Sequence, residues 1–425
     1  MELKKMIKNT LILTLISISC LFSDTSSFSS LSLGDIEPTL NNSTGIAFSD
    51  SLILKNHNYA SWAYLSNTSF SLSASYYAHS TENAEGIRSD YDRFTFEDIS
   101  FALPFGERHF FGFSYYPVSV TDITSVTESE VAVPESFENT SVMTLENKKG
   151  SISNISLIYG KGFNNGLSAA LNASFKLGNY DEVRRYKYTT YVWDPADSVW
   201  VTDWEKYFES NEKTQLFHFT AGGGFLYNSP LGLKIGGQFS VPLYSYVNKI
   251  TGFERTTSYG TQVEEFSLNE YEVENPEWPA EFGIGFSYIY SKFVFSYDYS
   301  GKQFSGLDLG IDKIDLSNYS RNIFGVSYDP RHRKYDPYYK RMVYSAYFTA
   351  EKRPYEYGDE AIYDYTGTLG LNFPFNRDKT NIEVKFSLTQ SGSAEDNGLE
   401  DNIFKLQFNL ISSDSWRLKK EKYDD

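Results

Sequence analysis

Pro279 to Ser300 reads PAEFGIGFSYIYSKFVFSYDYS. Phe282, Ile284, Phe286, Tyr288 and Tyr290 are large and apolar or aromatic, while Gly283, Gly285, Ser287 and Ile289 between them are mostly small. A period of two with one greasy face is the pattern of a β-strand. After Ser291 and Lys292 the alternation resumes on odd numbers, with Phe293, Phe295, Tyr297 and Tyr299 on one face and Val294, Ser296, Asp298 and Ser300 on the other. A two-residue turn at Ser291 and Lys292 sets Tyr290 opposite Phe293, Tyr288 opposite Phe295, Phe286 opposite Tyr297 and Ile284 opposite Tyr299. The two patterns agree in register. The turn is inferred from that agreement, because Ser-Lys is not the Asn-Gly that short hairpins favour.

A soluble sandwich packs large residues inward and sets charge outward, and the alternative reading of this hairpin is such a sandwich pair. Here, however, the face opposite the aromatics offers mainly Gly and Ser. An outward aromatic band over a small, polar interior is what a membrane barrel needs, since lipid demands apolar contact and a closed sheet leaves no unpaired edge. The composition agrees: aromatics are 17% of 425 residues, mostly Tyr and Phe, as interfacial girdles require. After the N-terminus no stretch approaches 18 consecutive apolar residues, which excludes helical spans.

The N-terminus carries an export address. Lys4, Lys5 and Lys8 form a basic region, Leu11 to Leu21 an apolar one, and Ser17, Ser19 and Ser23 offer cleavage positions, so residues 1–23 read as a signal peptide. Cys20, the only cysteine, sits where a lipoprotein cysteine could sit, but Ser17 occupies the place of a branched apolar residue. Cleavage near Ser19 or Ser23 is the expectation, and lipidation of Cys20 the alternative. A mature chain without cysteine suits an exported protein that has no disulfide framework.

Residues 24–67 are Ser-rich and short of alternation. Strand-like runs then follow near 68–78, 93–103, 108–120, 151–161, 166–178, 214–227 and 231–246, and again near 280–290, 293–303, 319–328, 341–351, 363–373, 380–390 and 402–412. Fourteen is an even number, as single-chain bacterial barrels require, and a barrel of that width has an interior that is plugged or wet. The expected class is therefore all-β, a transmembrane antiparallel barrel over 68–412, with residues 413–425 as a periplasmic tail. Short connections, Pro104 to Glu107, Gly162 to Gly166, Asn228 to Pro230, Ser291 with Lys292, and Pro374 to Lys379, alternate with long polar ones. That alternation places the short set and both chain ends in the periplasm. The connection from Asp329, DPRHRKYDPYYK, is long on the short side and is the most basic patch in the chain.

Four stretches resemble a known family, the FadL-like outer-membrane transporters of long-chain fatty acids and other hydrophobic compounds, together with the related PorV-like barrels. STGIAFSDS (Ser43 to Ser51) followed by NYASWA resembles the family's early Gly-rich segment and Asn-Pro-Ala motif, with Asn58 and Ala60 matching and Tyr59 replacing the proline. FLYNSPLGLKIGGQFSVP (Phe225 to Pro242) resembles a hairpin whose Pro-bearing turn leads into a Gly-rich strand. PAEFGIGFSY with FSYDYS resembles a later Pro-to-Gly strand and its partner, and LGLNFPF with the closing strand before Trp416 resembles the C-terminal pattern. Together they span nearly the whole mature chain, although each motif is short.

The resemblance implies a barrel whose N-terminal segment folds back into the lumen as a hatch, here about residues 24–67, with Asn58, Ala60, Trp62 and Tyr64 as its ligand-facing and filling residues. Filling a lumen of this width also makes physical sense of a Gly- and Ser-rich segment carrying Trp62 and Tyr64; the alternative is a periplasmic leader. Pro117, inside FFGFSYYPVSVTD, cannot donate to a ladder and marks a bulge or kink. In the family such a kink implies a lateral opening through which an apolar ligand leaves the lumen for the bilayer. The alternative is that Pro117 lies above the lipid band, where the strand frays.

The formal net charge is −17, and about −19 once Glu2, Lys4, Lys5 and Lys8 leave with the signal segment. Much of the acid lies in expected outer loops, such as Glu128 to Glu138 and Tyr271 to Glu277. That balance argues against nucleic acid as a partner, because phosphate needs Lys and Arg. His57, His79, His109, His218 and His332 are scattered without metal-ligand spacing, and neither GxSxG nor GxxxxGK[ST] occurs. GLDLGIDKIDLS, Gly306 to Ser317, lacks calcium-loop spacing and reads as a solvated outer loop. The expectation is a bacterial outer-membrane protein that is not an enzyme, with no cofactor, no catalytic residue and no metal. Two functions follow: a passive channel for hydrophobic small molecules or lipids, or a PorV-like barrel serving protein secretion or surface tethering. In the second, Arg331, Arg333 and Lys334, with Arg417, Lys419 and Lys420, would dock an acidic periplasmic or secreted partner.

Overall fold

The computed structural model describes residues 43–49, 54–83, 88–132, 138–194, 199–257, 263–274, 278–303, 317–330, 337–357, 360–375, 379–396 and 398–414. The expected signal segment with Cys20, the basic residues Arg331, Arg333 and Lys334, most of the Gly306 to Ser317 stretch, and the tail from Trp416 with Arg417, Lys419 and Lys420 all lie outside the described residues.

Fifteen strands are described. The first seven are β1 (Thr68–Asn83), β2 (Arg88–Phe105), β3 (His109–Ala132), β4 (Glu138–Gly162), β5 (Leu167–Asp194), β6 (Val199–Asn228) and β7 (Leu233–Thr257). β8 (Val263–Glu274), β9 (Glu281–Tyr290), β10 (Phe293–Lys302) and β11 (Tyr319–Tyr328) follow. β12 (Val343–Tyr357), β13 (Glu360–Phe375), β14 (Thr380–Ser393) and β15 (Leu399–Asp414) complete the sheet. All pairings are antiparallel, and β15 closes onto β1 from Thr68↔Asp414 to Asn83↔Leu399. β8 stands outside the ring: β7 pairs with β9 over Leu233 to Ser240 and with β8 only farther along, from Tyr246 to Thr256. The ring is therefore a closed fourteen-stranded barrel, and each of the fourteen expected runs falls on one of its strands.

The hairpin that decided the fold has the expected register, with Tyr290↔Phe293, Tyr288↔Phe295, Phe286↔Tyr297 and Ile284↔Tyr299. Its faces are also as expected. Phe282, Ile284, Phe286 and Tyr288 are exposed, and Gly283, Gly285 and Ser287 are buried. Around the ring the same inversion holds. Leu171, Leu369 and Leu388 are at least 64% exposed on the outer face, while Ser71, Ser73, Ser75, Ser100 and Ser114 are buried on the inner one. Leaving this much apolar surface outside is stable only in lipid, and the closed ladder satisfies the backbone that lipid cannot. At the rim with the short connections the outer aromatics gather into a belt, with Phe105 stacked on Phe111 at 5.0 Å and Phe293 against Tyr328 at 5.2 Å.

β9, β10 and β11 are 10 residues long, the length a tilted strand needs to cross a bilayer. β5 and β6 run for 28 and 30, so one side of the wall projects well beyond the membrane at the end opposite the short connections. Much of what reads as acidic outer loop is sheet: Glu128 to Ala132 belong to β3, and Tyr271 to Glu274 to β8. Charged cross-strand pairs sustain the extension where hydrophobic alternation is absent, including Arg185 with Glu209 at 2.6 Å and Lys249 with Glu212 at 2.7 Å.

The hairpin turn supplies a test. Ser291 has φ 56°, in the left-handed region that a Cβ disfavours. Ser291→Gly is expected to stabilise the barrel by about 1 kcal/mol. The measurement is the temperature at which the folded electrophoretic form is lost in detergent; an unchanged or lower value would contradict it.

Candidate functional site

The described part of the N-terminal segment, residues 43–49 and 54–65, lies within the ring. Asn58 starts a short 3-10 helix, Tyr59–Tyr64, by accepting a hydrogen bond from the Ala60 amide. Tyr59 is the first residue of that helix. The Asn58 side-chain amide donates at 2.8 Å to two carbonyls, Ile46 within the segment and Phe225 on β6. Ala60 and Trp62 are buried, and Trp62 donates its indole N–H to the Lys55 carbonyl at 2.9 Å. Tyr64 donates its hydroxyl to the Gly166 carbonyl in the short β4–β5 connection at 2.6 Å, which sets the segment at the short-connection end of the lumen. The structure thus brings together all four residues, Asn58, Ala60, Trp62 and Tyr64, in one segment inside the ring.

The wall is cut to receive it. Trp62 packs among Ala102, Phe110, Ile158, Ala170 and Leu226, each from a different strand of β2 to β6. A Cβ at Gly112 on β3 would fall on the Trp62 ring, and one at Gly236 on β7 would fall on the Ile46 carbonyl oxygen. The opposite wall holds the segment by polar contacts. One Asp298 carboxylate oxygen on β10 accepts from the amides of Gly45 at 2.6 Å and Ile46 at 3.0 Å. Ser287 on β9 donates to the Ala47 carbonyl at 3.0 Å, Lys234 on β7 to that of Ser49 at 3.1 Å, and Lys385 on β14 to the Ser43 hydroxyl at 3.3 Å. These anchors come from both sides of the ring, so they fix the plug across the lumen.

Beside the plug lies a cavity of about 190 Å³ lined by Asn58, Tyr59, Lys176, Phe239, Glu281 and Lys302 among others. Its volume is below the roughly 300–1,000 Å³ of small-molecule pockets. Its chemistry is mixed: Glu281 is paired with Lys176 at 3.0 Å and Lys302 at 3.4 Å, and Phe239 borders the same space. Buried ion pairs recur on the inner wall, Lys405 with Glu97 at 3.0 Å and Arg353 with Asp364 at 2.9 Å. Such pairs suit the lumen because they satisfy charges that neither lipid nor a packed core would accept.

One seam of the wall is short. β2 and β3 pair only from Phe105↔His109 to Ile99↔Tyr115, although β2 continues to Arg88 and β3 to Ala132. The flanking ladders do not stop there; β1 follows β2 to Arg88 and β4 follows β3 to Ala132. A bulge stands on each strand beside the split. Val118 is the extra residue where the β3–β4 register passes from Pro117 to Ser119, and Glu97 is the extra residue where the β1–β2 register passes from Asp98 to Phe96. Bulges bend and twist a strand out of its ladder, and Pro117 adds a position with no N–H to donate. Pro117 is thus inside the wall at the split, and it is buried. Against Val118 gather Ile152, Tyr180 and Leu216, with Tyr116, Val247 and Trp278 at the edge. None of these apolar residues, nor Asp298, was legible as part of a site, since each reads as an ordinary member of its strand.

A family model described as BamG matches residues 3–424. The chain belongs to the BamG family. No curated protein matches this BamG-family chain. Solved structures do. The toluene transporter TbuX of Ralstonia pickettii is 11% identical with a TM-score of 0.51, covering 89% of this chain and 98% of its own. A FadL homologue of Pseudomonas aeruginosa is 9% identical with a TM-score of 0.53, covering 87% and 95%. The toluene transporter TodX of P. putida is 10% identical with a TM-score of 0.51, covering 85% and 93%. At such identities the likeness is one of fold. The BamG-family chain has the fold of these outer-membrane β-barrels.

The plug's anchor can be tested directly. Asp298→Ala leaves the Gly45 and Ile46 amides without their acceptor and is expected to loosen the segment by about 1–3 kcal/mol. Higher ion conductance in planar bilayers and faster proteolysis of the N-terminal segment are the expected outcomes. Wild-type values of both would show that the carboxylate is not the anchor.

Proposed function

We propose that this BamG-family barrel is a passive channel for hydrophobic compounds, which enter from outside and leave sideways into the bilayer at the β2–β3 seam. The observation that carries the reading is the early end of the β2–β3 ladder at Ile99↔Tyr115, with apolar Val118, Ile152, Tyr180 and Leu216 gathered inside it. An apolar solute meets there a surface suited to it, whereas straight passage to the periplasm meets a plug hydrogen-bonded to both sides of the ring. In this reading Asn58, Ala60, Trp62 and Tyr64 belong to a hatch that stays shut, and Pro117 is the kink that keeps the seam apart. Long-chain fatty acids are the finer cargo assignment; the tail would lie in the seam itself, because the adjoining cavity of about 190 Å³ is small for it. The toluene named for TbuX and TodX is the compact end of the same cargo class.

A second reading, a PorV-like barrel that receives or tethers exported proteins, is favoured by one observation. The lumen wall is lined by buried ion pairs such as Lys405 with Glu97 and Arg321 with Glu351, which an apolar cargo would not use.

Native mass spectrometry with lipid extraction, on protein purified in a mild, exchangeable detergent, separates the two. Recovery of a stoichiometric fatty acid or hydrocarbon supports the channel; an empty barrel that retains a protein partner supports the second reading. Pro117→Ala restores an N–H at the split and is expected to reduce uptake of an apolar ligand several-fold without lowering barrel stability. Unchanged uptake would remove Pro117 from the exit.

A further inference from the structure

Beyond the last β2–β3 pair, the two strands are joined by side chains instead of backbone. On the outer face Phe96 of β2 stacks on Tyr115 of β3, with ring centroids 6.0 Å apart. On the inner face Arg93 of β2 extends its guanidinium to the Val120 carbonyl of β3 at 3.4 Å. Arg93 stands opposite Tyr77 in the β1–β2 register, and its guanidinium lies 5.1 Å from the centre of that ring. Tyr77 is itself held firmly. Its hydroxyl donates to the Glu97 carboxylate at 2.5 Å, and Glu97 is the bulge residue of β2. The same carboxylate oxygen takes Lys405 of β15 at 3.0 Å, and Lys405 also lies over the Tyr77 ring at 4.9 Å. The bulge thus turns into the lumen a carboxylate that fixes the platform on which Arg93 rests.

We propose that Arg93 is the latch of the lateral seam: stacked on Tyr77 and bonded to the Val120 carbonyl, it holds β2 and β3 together on the lumen side, and the seam opens when that bond is released. Guanidinium suits the task because it is planar, always charged, and able to stack on a ring and donate at its edge at once. A long side-chain hydrogen bond to a strand edge, unlike a ladder, breaks and re-forms without refolding the wall. The role as a gate rests on the seam being the exit route; the role as a closure does not.

The test places a thiol reporter at the seam, Val118→Cys, in a chain whose Cys20 is replaced. Its reaction with a lipid-soluble maleimide is compared with that of a charged, water-soluble methanethiosulfonate. Arg93→Ala is expected to raise the rate with the lipid-soluble reagent about tenfold, the effect of losing a hydrogen bond to a charged group, and to leave the water-soluble rate unchanged. Tyr77→Leu removes the platform and is expected to act in the same direction, which keeps the test decisive if one variant folds poorly. Folding is checked by the heat-sensitive electrophoretic form. A wild-type maleimide rate in a folded Arg93→Ala barrel would overturn the latch. Uptake of radiolabelled toluene and oleate is read in parallel. If the thiol is exposed and uptake stays at the wild-type rate, the latch stands and the lateral-exit function falls.

Discussion

Every other feature of this protein depends on the closure of its backbone ladder. In hydrocarbon an unpaired amide or carbonyl has no water to turn to, so a sheet survives there only if it has no edge. The pairing of β15 with β1 along their whole length removes the edge, and β9 to β11, at 10 residues, are the minimum that such a ring needs. Once the ring is closed, the side chains have only two environments to satisfy. Aromatics and leucines go outward, and serine, glycine and paired charges go inward.

An inner face made of small polar residues cannot pack on itself across a fourteen-stranded ring. The N-terminal segment resolves that, and its two sides do so by different physics. Trp62 supplies bulk against alanines, Phe110 and Leu226 on β2 to β6, where burial of apolar surface is the driving force. Gly45, Ile46 and Ala47 instead offer backbone groups to Asp298 and Ser287, where directional hydrogen bonds set the position. A segment with helical propensity over 43–49 would have had no free amides to give the wall.

The ring is not uniform, and its departures are concentrated on one side. β3 to β7 rise far beyond the lipid, and β2 and β3 part at Ile99↔Tyr115 between two bulges. A closed ladder tolerates such a gap only where side chains take over the joining, as Phe96 with Tyr115 and Arg93 with Val120 do. The wall is thus held by backbone along the complete ladders and by side chains where one ladder stops.

The barrel itself was legible in the sequence. Fourteen runs with period-two alternation, short connections between alternate pairs, and the Tyr290↔Phe293 register are local patterns, and local patterns survive folding because each strand meets the same lipid and the same lumen. The resemblance pointed to Asn58, Ala60, Trp62 and Tyr64, and their shared location inside the ring came from the structure. β8 was missed because its carboxylates conceal any hydrophobic period; only pairing with β7 makes it a strand. Asp298, Glu97, Arg93 and Val118 carried no signal at all. What they do depends on residues 20 to more than 300 positions away, Glu97 on Tyr77 and Lys405, Asp298 on Gly45 and Ile46. Sequence by itself determined which face of each strand meets lipid, since that is decided residue by residue; tertiary structure alone decided where the ladder ends and what closes the gap, since that depends on which strands closure brings together.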